Sequence, residues 1–277
     1  MIRTIPKRAA AQPKAESARA AAADNEPRYR APALEKGLDI LELIATQPAP
    51  ISLPAIVKAL GRSTGELFRM IQVLQFRGFI EQSTDGSGYQ LTGRLFALAM
   101  NQPSVKGLIE IALPRMRLLA IETGQSCHLA MHSQGQHVVV ARVESNAEMG
   151  FSVRVGHRRA LPETVSGTVL YAFQTERTRE RWEELFDPSI KAKDLAAFKQ
   201  RAARAHDVAW AKARSTYVSG VTDISAPILR GHEAAAALTI PFVQFVNTKR
   251  TLDDCLSLLI TAAREISGGL LLSDSRI

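Results

Sequence analysis

From Ala33 the chain carries an apolar repeat at three- and four-residue spacing. Leu34, Leu38, Leu41 and Ile44/Ala45 recur on one helical face that stops before Pro48 and Pro50. Ser52 stands where an N-cap belongs, ahead of Leu53, Ile56, Val57 and Leu60. Gly61 closes this second helix in the position that wants a left-handed residue. Ser63 and Thr64 cap a third helix, in which Leu67, Phe68, Ile71, Leu74 and Gln75 form the repeat. Arg69, Gln72 and Arg77 lie off that face, and Gly78 stops it. Phe79 and Ile80, then Tyr89 and Leu91, flank Asp85-Gly86-Ser87-Gly88, which predicts a hairpin. Helices followed by a hairpin, with a tight turn at Gly61, are the plan of a winged helix-turn-helix. A helix over 92–100 is the expected connector.

Beyond residue 101 the pattern alternates between periods. A helix is predicted over 105–123, kinked or split at Pro114. Strands over 126–132 and 137–144 form a hairpin around Gln134-Gly135-Gln136, and 151–155 reads as a further short strand. Helices are expected over 166–173, 177–186 and 194–210. A second hairpin, 223–229 with 235–242, turns at Gly231, and an amphipathic helix over 252–266 closes the chain. Antiparallel hairpins with segregated helices indicate an α+β domain. The expected divisions are a basic tail over 1–32, the winged helix over 33–93, a linker helix over 94–104 and a second domain over 105–277.

The tail holds four prolines, Ala-rich stretches and almost no large apolar residues, so it cannot bury enough surface to offset the entropy of ordering. Seven cationic side chains face three acidic ones there, a net +4 that is half the chain's +8. Either a solubilising tail or a DNA-contacting arm accounts for it. The 277 residues are 46% apolar and 22% charged, which excludes a wholly disordered, collagen-like or disulfide-stapled chain. A pI near 9.8 favours phosphate-rich partners. Cys127 and Cys255 are too few for a disulfide framework and fit a reducing cytoplasm. Asp253, Asp254, Arg264 and Glu265 interrupt the apolar stretch over 252–272, so no membrane span is expected there.

The runs ALEKGLDILELIA, LPAIVKALGRSTGELFRMIQVLQFRGFIEQ and YQLTGRLFALA resemble the winged-helix domain of IclR-type (isocitrate lyase regulator) transcription factors. Further along, ETGQSCHLAM, VVVARVES, RVGHRRALPETVSGTVLYAF and SGVTDISAPIL are similar to that family's effector-binding domain, in order and at familiar separations. The resemblance covers nearly everything after Ala33. It implies an N-terminal winged helix-turn-helix joined by a linker helix to an α+β (GAF-like) effector-binding domain. It also implies a cytoplasmic homodimer or homotetramer that binds double-stranded operator DNA under control of a small organic acid or aromatic compound. No cofactor is implied. The chain departs from the family pattern at Thr64-Gly65-Glu66, where Lys-Ser-Thr or similar is usual. It departs again at Asp223, often Cys, and at Ala213 and Arg214, usually an acidic pair.

A third helix reads DNA through its N-terminal residues, here Arg62, Ser63, Thr64, Gly65, Glu66 and Arg69. Arg69 can clamp guanine or a phosphate, Glu66 can accept from a cytosine amino group, and Gly65 lets the backbone approach. Against this, residues 33–93 carry five cationic side chains and six carboxylates, a poor balance for a phosphate-binding surface. The alternative is therefore a small-molecule-binding or enzymatic protein whose winged helix serves oligomerisation only.

In the second domain, Thr164 and Ser166 offer hydroxyls, and the helix start near Ser166 and Gly167 offers N–H groups that can cradle a carboxylate. Asp223 and Ser225, alternating on one strand face, close the other side. An ionised Asp223 would favour a hydroxyl, an amine or a cation-bearing ligand. The bland alternative is that Thr164 and Ser166 only cap a helix. Cys127, His128, His132 and His137 invite a metal, but on a strand His128 and His132 stand about 13 Å apart, at roughly 3.3 Å per residue. There is no G-x-S-x-G elbow, P-loop or G-x-G-x-x-G, so no enzymatic activity is expected.

Overall fold

The computed structural model describes residues 30–148, 150–246 and 250–274. Most of the tail, residues 1–29, therefore lies outside the described residues. The chain divides into two compact units after Ala99.

The first unit holds α1 (Pro32–Ala45), α2 (Leu53–Leu60), α3 (Thr64–Phe76), β1 (Ile80–Gln82), β2 (Tyr89–Leu91) and most of α4 (Arg94–Met100). Its core is Ile40 and Ile44 from α1, Ile56 from α2, Leu67 and Ile71 from α3 and Ile80 from β1. The inward stripe of α1 thus differs from the expected one. Gly37, Ile40 and Ile44 face inward, whereas Leu34 and Leu38 are 63% and 50% exposed. The helix is apolar on two faces, and periodicity alone cannot choose between them. On α3, Leu67 and Ile71 are buried, but Phe68 is 45% exposed and Gln75 is also outside.

Gly61 sits at φ 61° between α2 and α3, the left-handed conformation that lets the chain reverse in so short a turn. The wing pairs Ile80 with Leu91, and a bridge from Ile51 to Tyr89 extends it. Gly88 is required for that bridge: a Cβ there would lie 2.4 Å from the Ile51 carbonyl carbon. The expected linker helix is broken, with α4 ending at Met100 and α5 (Pro103–Thr123) beginning after two intervening residues. Pro103 forbids a helical Gln102, which is extended at ψ 121°. Pro114, by contrast, does not end α5.

The second unit is built on an antiparallel sheet of β3 (Cys127–Ser133), β4 (Gln136–Val143), β5 (Arg158–Ala160), β6 (Ala211–Arg214), β7 (Val221–Arg230) and β8 (Glu233–Val243). Strand order is β5-β4-β3-β8-β7-β6. Gln134 and Gly135 are both left-handed, the two-residue turn that matches the twist of the β3–β4 hairpin. The strand expected over 151–155 does not form. Backbone bonding to β4 begins only at Gly156, and β6 had no expected counterpart.

Period two along the strands feeds both faces of this sheet. Leu129, Ile224, Leu238 and Ile240 pack with Met116 and Leu119 of α5 and with Leu259, Ala263 and Ile266 of α9 (Leu252–Asp274). Length and apolarity alone would let α9 cross a bilayer, but its Cys255, Leu259 and Ala262 are fully buried, so it is a core helix. Ala237 on the other face packs with α6 (Val165–Ala172) and α8 (Ala192–Val208) through Val169, Phe198 and Ala202. A single 3₁₀ turn, Leu161–Glu163, precedes α6, and α7 (Glu176–Glu183) lies between α6 and α8 in sequence.

Candidate functional site

In the first unit the candidate surface is the N-terminal turn of α3. Its inner side is anchored by Leu67 and Ile71, so the outer side must be presented. Arg62, Ser63, Thr64, Gly65 and Arg69 are all exposed, and Gln72 extends the same surface one turn on. Ser63 is the N-cap residue but makes no side-chain capping bond to the helix backbone. Free N–H groups at a helix N-terminus suit a phosphate. Glu66 is placed differently from its expected role. Lys36 Nζ on α1 donates to its carboxylate at 2.8 Å, and bonds from Lys36 and Ser63 hold its pKa below the ordinary value. That carboxylate braces α3 against α1, and a cytosine amino group would have to compete with Lys36 for it.

In the second unit a cavity of about 930 Å³ opens over the sheet face that also carries Ala237. One row of paired positions crosses four strands: His128 on β3, Thr239 on β8, Ser225 on β7 and Ala211 on β6. His128 and Thr239 line the cavity from that row, and Asp223 lines it two residues before Ser225. His137 of β4, His157, Arg159 of β5 and the Thr164–Ser166 turn supply one wall. Arg204 and Val208 of α8, Trp210 and the segment over 211–218 supply another.

Three of the expected ligand residues, Thr164, Ser166 and Asp223, line this cavity; Gly167 and Ser225 do not. The Gly167 N–H donates to Thr164 Oγ1 at 2.9 Å, so this donor is spent on capping α6. Gly167 serves packing instead: a Cβ there would lie 2.2 Å from the Leu161 carbonyl oxygen. Ser225 is fully buried, with its hydroxyl bonded to the Leu238 carbonyl and to Thr239 Oγ1. Ser166 is buried too, its Oγ 2.8 Å from His137 Nδ1.

Sequence reasoning missed the histidines as lining groups, along with Arg159, Arg204 and Arg214. The sequence offers His128 and His137 either as metal ligands or as ordinary strand histidines beside a hairpin. No local signal could have found them, because only the strand register sets His128 beside Thr239. Burial drives their pKa values down to about 3 and about 4, so both imidazoles are neutral near pH 7. The ring atoms His128 Nδ1 and His137 Nε2 are buried without a hydrogen-bond partner among the described residues. Asp223 is pushed up to about 6 by burial, with Arg159 opposing the shift.

Cations outnumber carboxylates around the opening. Arg159 is committed to Glu163 at 2.7 Å, and Arg201 donates to the Pro162 carbonyl. Arg204 and Arg214 are exposed at the rim and make no ion pair among the described residues. Such a rim attracts an anion, while the apolar walls of Phe151, Val153, Val208 and Trp210 suit a carbon skeleton.

Comparison with known proteins places these units. The family model described as the IclR helix-turn-helix domain matches residues 33–84, and that described as the bacterial transcriptional regulator IclR C-terminal matches 102–268. An uncharacterised HTH-type transcriptional regulator, RhmR of Escherichia coli, is 25% identical over 245 residues, covering 86% of this chain and 93% of that one. The HTH-type transcriptional regulator KdgR of the same organism is 24% identical over 214 residues, covering 74% and 80%. Among solved structures, an IclR homologue of Microbacterium hydrocarbonoxydans complexed with 4-hydroxybenzoate is similar in fold. Its TM-score is 0.72 at 20% identity, over 86% of this chain and 98% of that one. Thermotoga maritima IclR has a TM-score of 0.65 at 21% identity, over the same shares.

Proposed function

Since the chain belongs to the IclR family of bacterial transcriptional regulators, we propose that it reads operator DNA with the N-terminal turn of α3 and answers to an anionic effector held in the sheet cavity. The DNA-binding half rests on one observation above all: Arg62 through Gly65 and Arg69 are exposed on a helix whose opposite side is locked into the core. Arg69 is the base-contacting side chain, Arg62 and the α3 N-terminus take phosphates, and Lys36 with Glu66 fixes the helix they stand on. The unit's weak charge balance is supplemented by two reading helices acting together. Leu34 and Leu38 of α1 and Leu95, Phe96 and Leu98 of α4 are exposed apolar side chains that suit burial against a second copy. A dimer would place its two reading helices in successive major grooves.

The effector half rests on the cavity's size and its unpaired cations, which fit an organic acid larger than a few atoms. Binding there and binding of operator must be linked reciprocally, and α4, at the division of the chain, is the transmitting element. The test is a gel-shift on operator fragments selected from random DNA, run across a salt series. A steep loss of affinity with salt and a sequence preference that Arg69→Ala erases are expected. Salt-independent binding, or none, would leave the oligomerisation-only reading standing.

A further inference from the structure

The unit that carries the reading helix is short of positive charge, with five cationic side chains against six carboxylates over 33–93. One of the five, Lys36, is already held by Glu66 at 2.8 Å. A duplex presents a negative charge about every 1.7 Å along its axis, so holding it at physiological salt calls for cations in number. The chain supplies them just ahead of this unit. Arg3, Lys7, Arg8 and Lys14 fall within residues 1–15, where no carboxylate stands. Over 16–31, Arg19, Arg28 and Arg30 are matched by Glu16, Asp24 and Glu26, so a neutral spacer joins the cationic block to α1.

Residues 1–29 lie outside the described residues, but the point from which they leave does not. The Ala31 N–H donates to Glu35 Oε1 at 3.2 Å and Arg30 pairs with Glu35 at 3.3 Å, which ties the last residues before α1 onto its first turn. One position further along, Lys36 Nζ reaches Glu66 in the first turn of α3. Four residues of helix rise about 6 Å, so Pro32 stands within about one turn of the contact that joins the two helix starts. Ile40 and Ile44 share a core with Leu67 and Ile71 behind that contact and keep the two starts together. The chain therefore enters α1 beside the turn at which Arg62, Ser63, Thr64 and Gly65 are exposed. Fully extended, the spacer over 16–31 spans about 50 Å, more than the roughly 34 Å of one helical turn of DNA. A tail serving solubility alone would work from any edge of the unit; this one leaves from the edge that carries the reading turn.

We propose that residues 1–15 are a phosphate-binding arm that lies on the duplex backbone flanking the groove read by α3. This rests on α3 being the DNA-reading element. Phosphate contacts carry no sequence information, so the two elements divide the task. Arg3, Lys7, Arg8 and Lys14 set how tightly any duplex is held, and Arg69 sets which duplex is preferred.

The test compares the full chain with Arg3→Gln/Lys7→Gln/Arg8→Gln/Lys14→Gln by fluorescence anisotropy, on a duplex selected from random DNA and on a scrambled one, between about 50 and 200 mM salt. Loss of the four charges should flatten the slope of log K against log salt by about 3 to 4, at roughly 0.9 per phosphate contact. Both duplexes should bind about tenfold or more weaker near 100 mM salt, with the preference between them and the melting temperature unchanged. Deleting residues 1–15 should do the same. Hydroxyl-radical footprints should lose protection in the flanks and keep it over the groove that α3 reads. An unchanged slope and affinity would make the stretch a solubilising tail and overturn the proposal. Tighter binding by the variant would overturn it too, by placing the block on the unit's own carboxylates in competition with DNA. So would a lost preference, which would make the arm a reader of bases. If Arg69→Ala erases the preference while the arm variant leaves the slope unaltered, the reading helix stands and the arm falls. If the wild-type chain binds no duplex, both fall.

Discussion

The reading helix and the effector cavity are both made of polar side chains, yet they are built in opposite ways. Arg62 through Arg69 are contiguous in sequence, ride on one helix and are held outward by two buried anchors. The cavity's groups come from all six strands of the sheet, from α6 and the turn before it and from α8, and its deepest members are buried. A contiguous site can be altered one contact at a time, because each side chain points into solvent on its own. An assembled site cannot, because Ser166 is simultaneously a lining residue, a partner of His137 and part of α6. Substitutions should therefore separate function from stability in the first unit and mix them in the second.

The largest effect should come from breaking the scaffold beneath the reading helix. Leu67→Ala removes a fully buried side chain and should cost about 2–5 kcal/mol, seen as a lowered melting temperature together with lost DNA binding. Arg69→Ala should leave the melting temperature in place and weaken specific DNA binding by about 1–3 kcal/mol, read by fluorescence anisotropy. In the second unit, Gly167→Ala forces a Cβ against the Leu161 carbonyl and should cost about 1–3 kcal/mol of stability. Because the same turn lines the cavity, benzoate binding should weaken with it. That coupled loss is what Arg69→Ala must not show.

Asp223 sharpens the contrast through pH. Unfolded, its carboxyl titrates near the ordinary 3.8; folded, burial raises it to about 6 against the pull of Arg159. Below about pH 4 both states are protonated and the group is neutral for stability. Between about pH 4 and 6 the unfolded chain ionises while burial keeps the folded carboxyl protonated, so stability falls relative to a variant lacking the group and levels off above 6. Lys212, Arg214, His128 and His157 line the same cavity, but Arg159 is the charge that limits the drop. Asp223→Asn should differ least from the wild type in melting temperature near pH 3.5 and exceed it at pH 7.5. A constant gap across that range would contradict the buried carboxyl. Smallest of all should be Lys36→Ala, which removes a partly exposed pair and should change stability by about 1 kcal/mol or less.

These differences also explain what could be read from the chain beforehand. The first unit's architecture was legible because its signals are local: N-caps at Ser52 and Ser63, the left-handed Gly61 and the Gly-rich wing turn. Where local signals conflicted, the reading slipped. Leu34 and Leu38 took the place of Ile40, because an exposed leucine stripe and a buried isoleucine stripe share a period. In the second unit the hairpins were legible, and Thr164, Ser166 and Asp223 were placed on the cavity. Ser225 was not separable from Asp223 by alternation, since hydrogen bonding to β8 decides which of the two faces the opening. His128 and His137 gained their meaning only from register and burial, neither of which is encoded in nearby residues.

The central claim is that the exposed turn of α3 specifies a DNA sequence. It is tested most directly by selecting duplexes from a random pool with the wild-type chain, then measuring the affinity of the winning duplex and a scrambled one for wild type and Arg69→Ala. The account predicts a wild-type preference of at least about tenfold that largely disappears in the variant, with scrambled-duplex binding little changed. A preference left intact by Arg69→Ala, or a wild-type chain that selects no sequence at all, would contradict it.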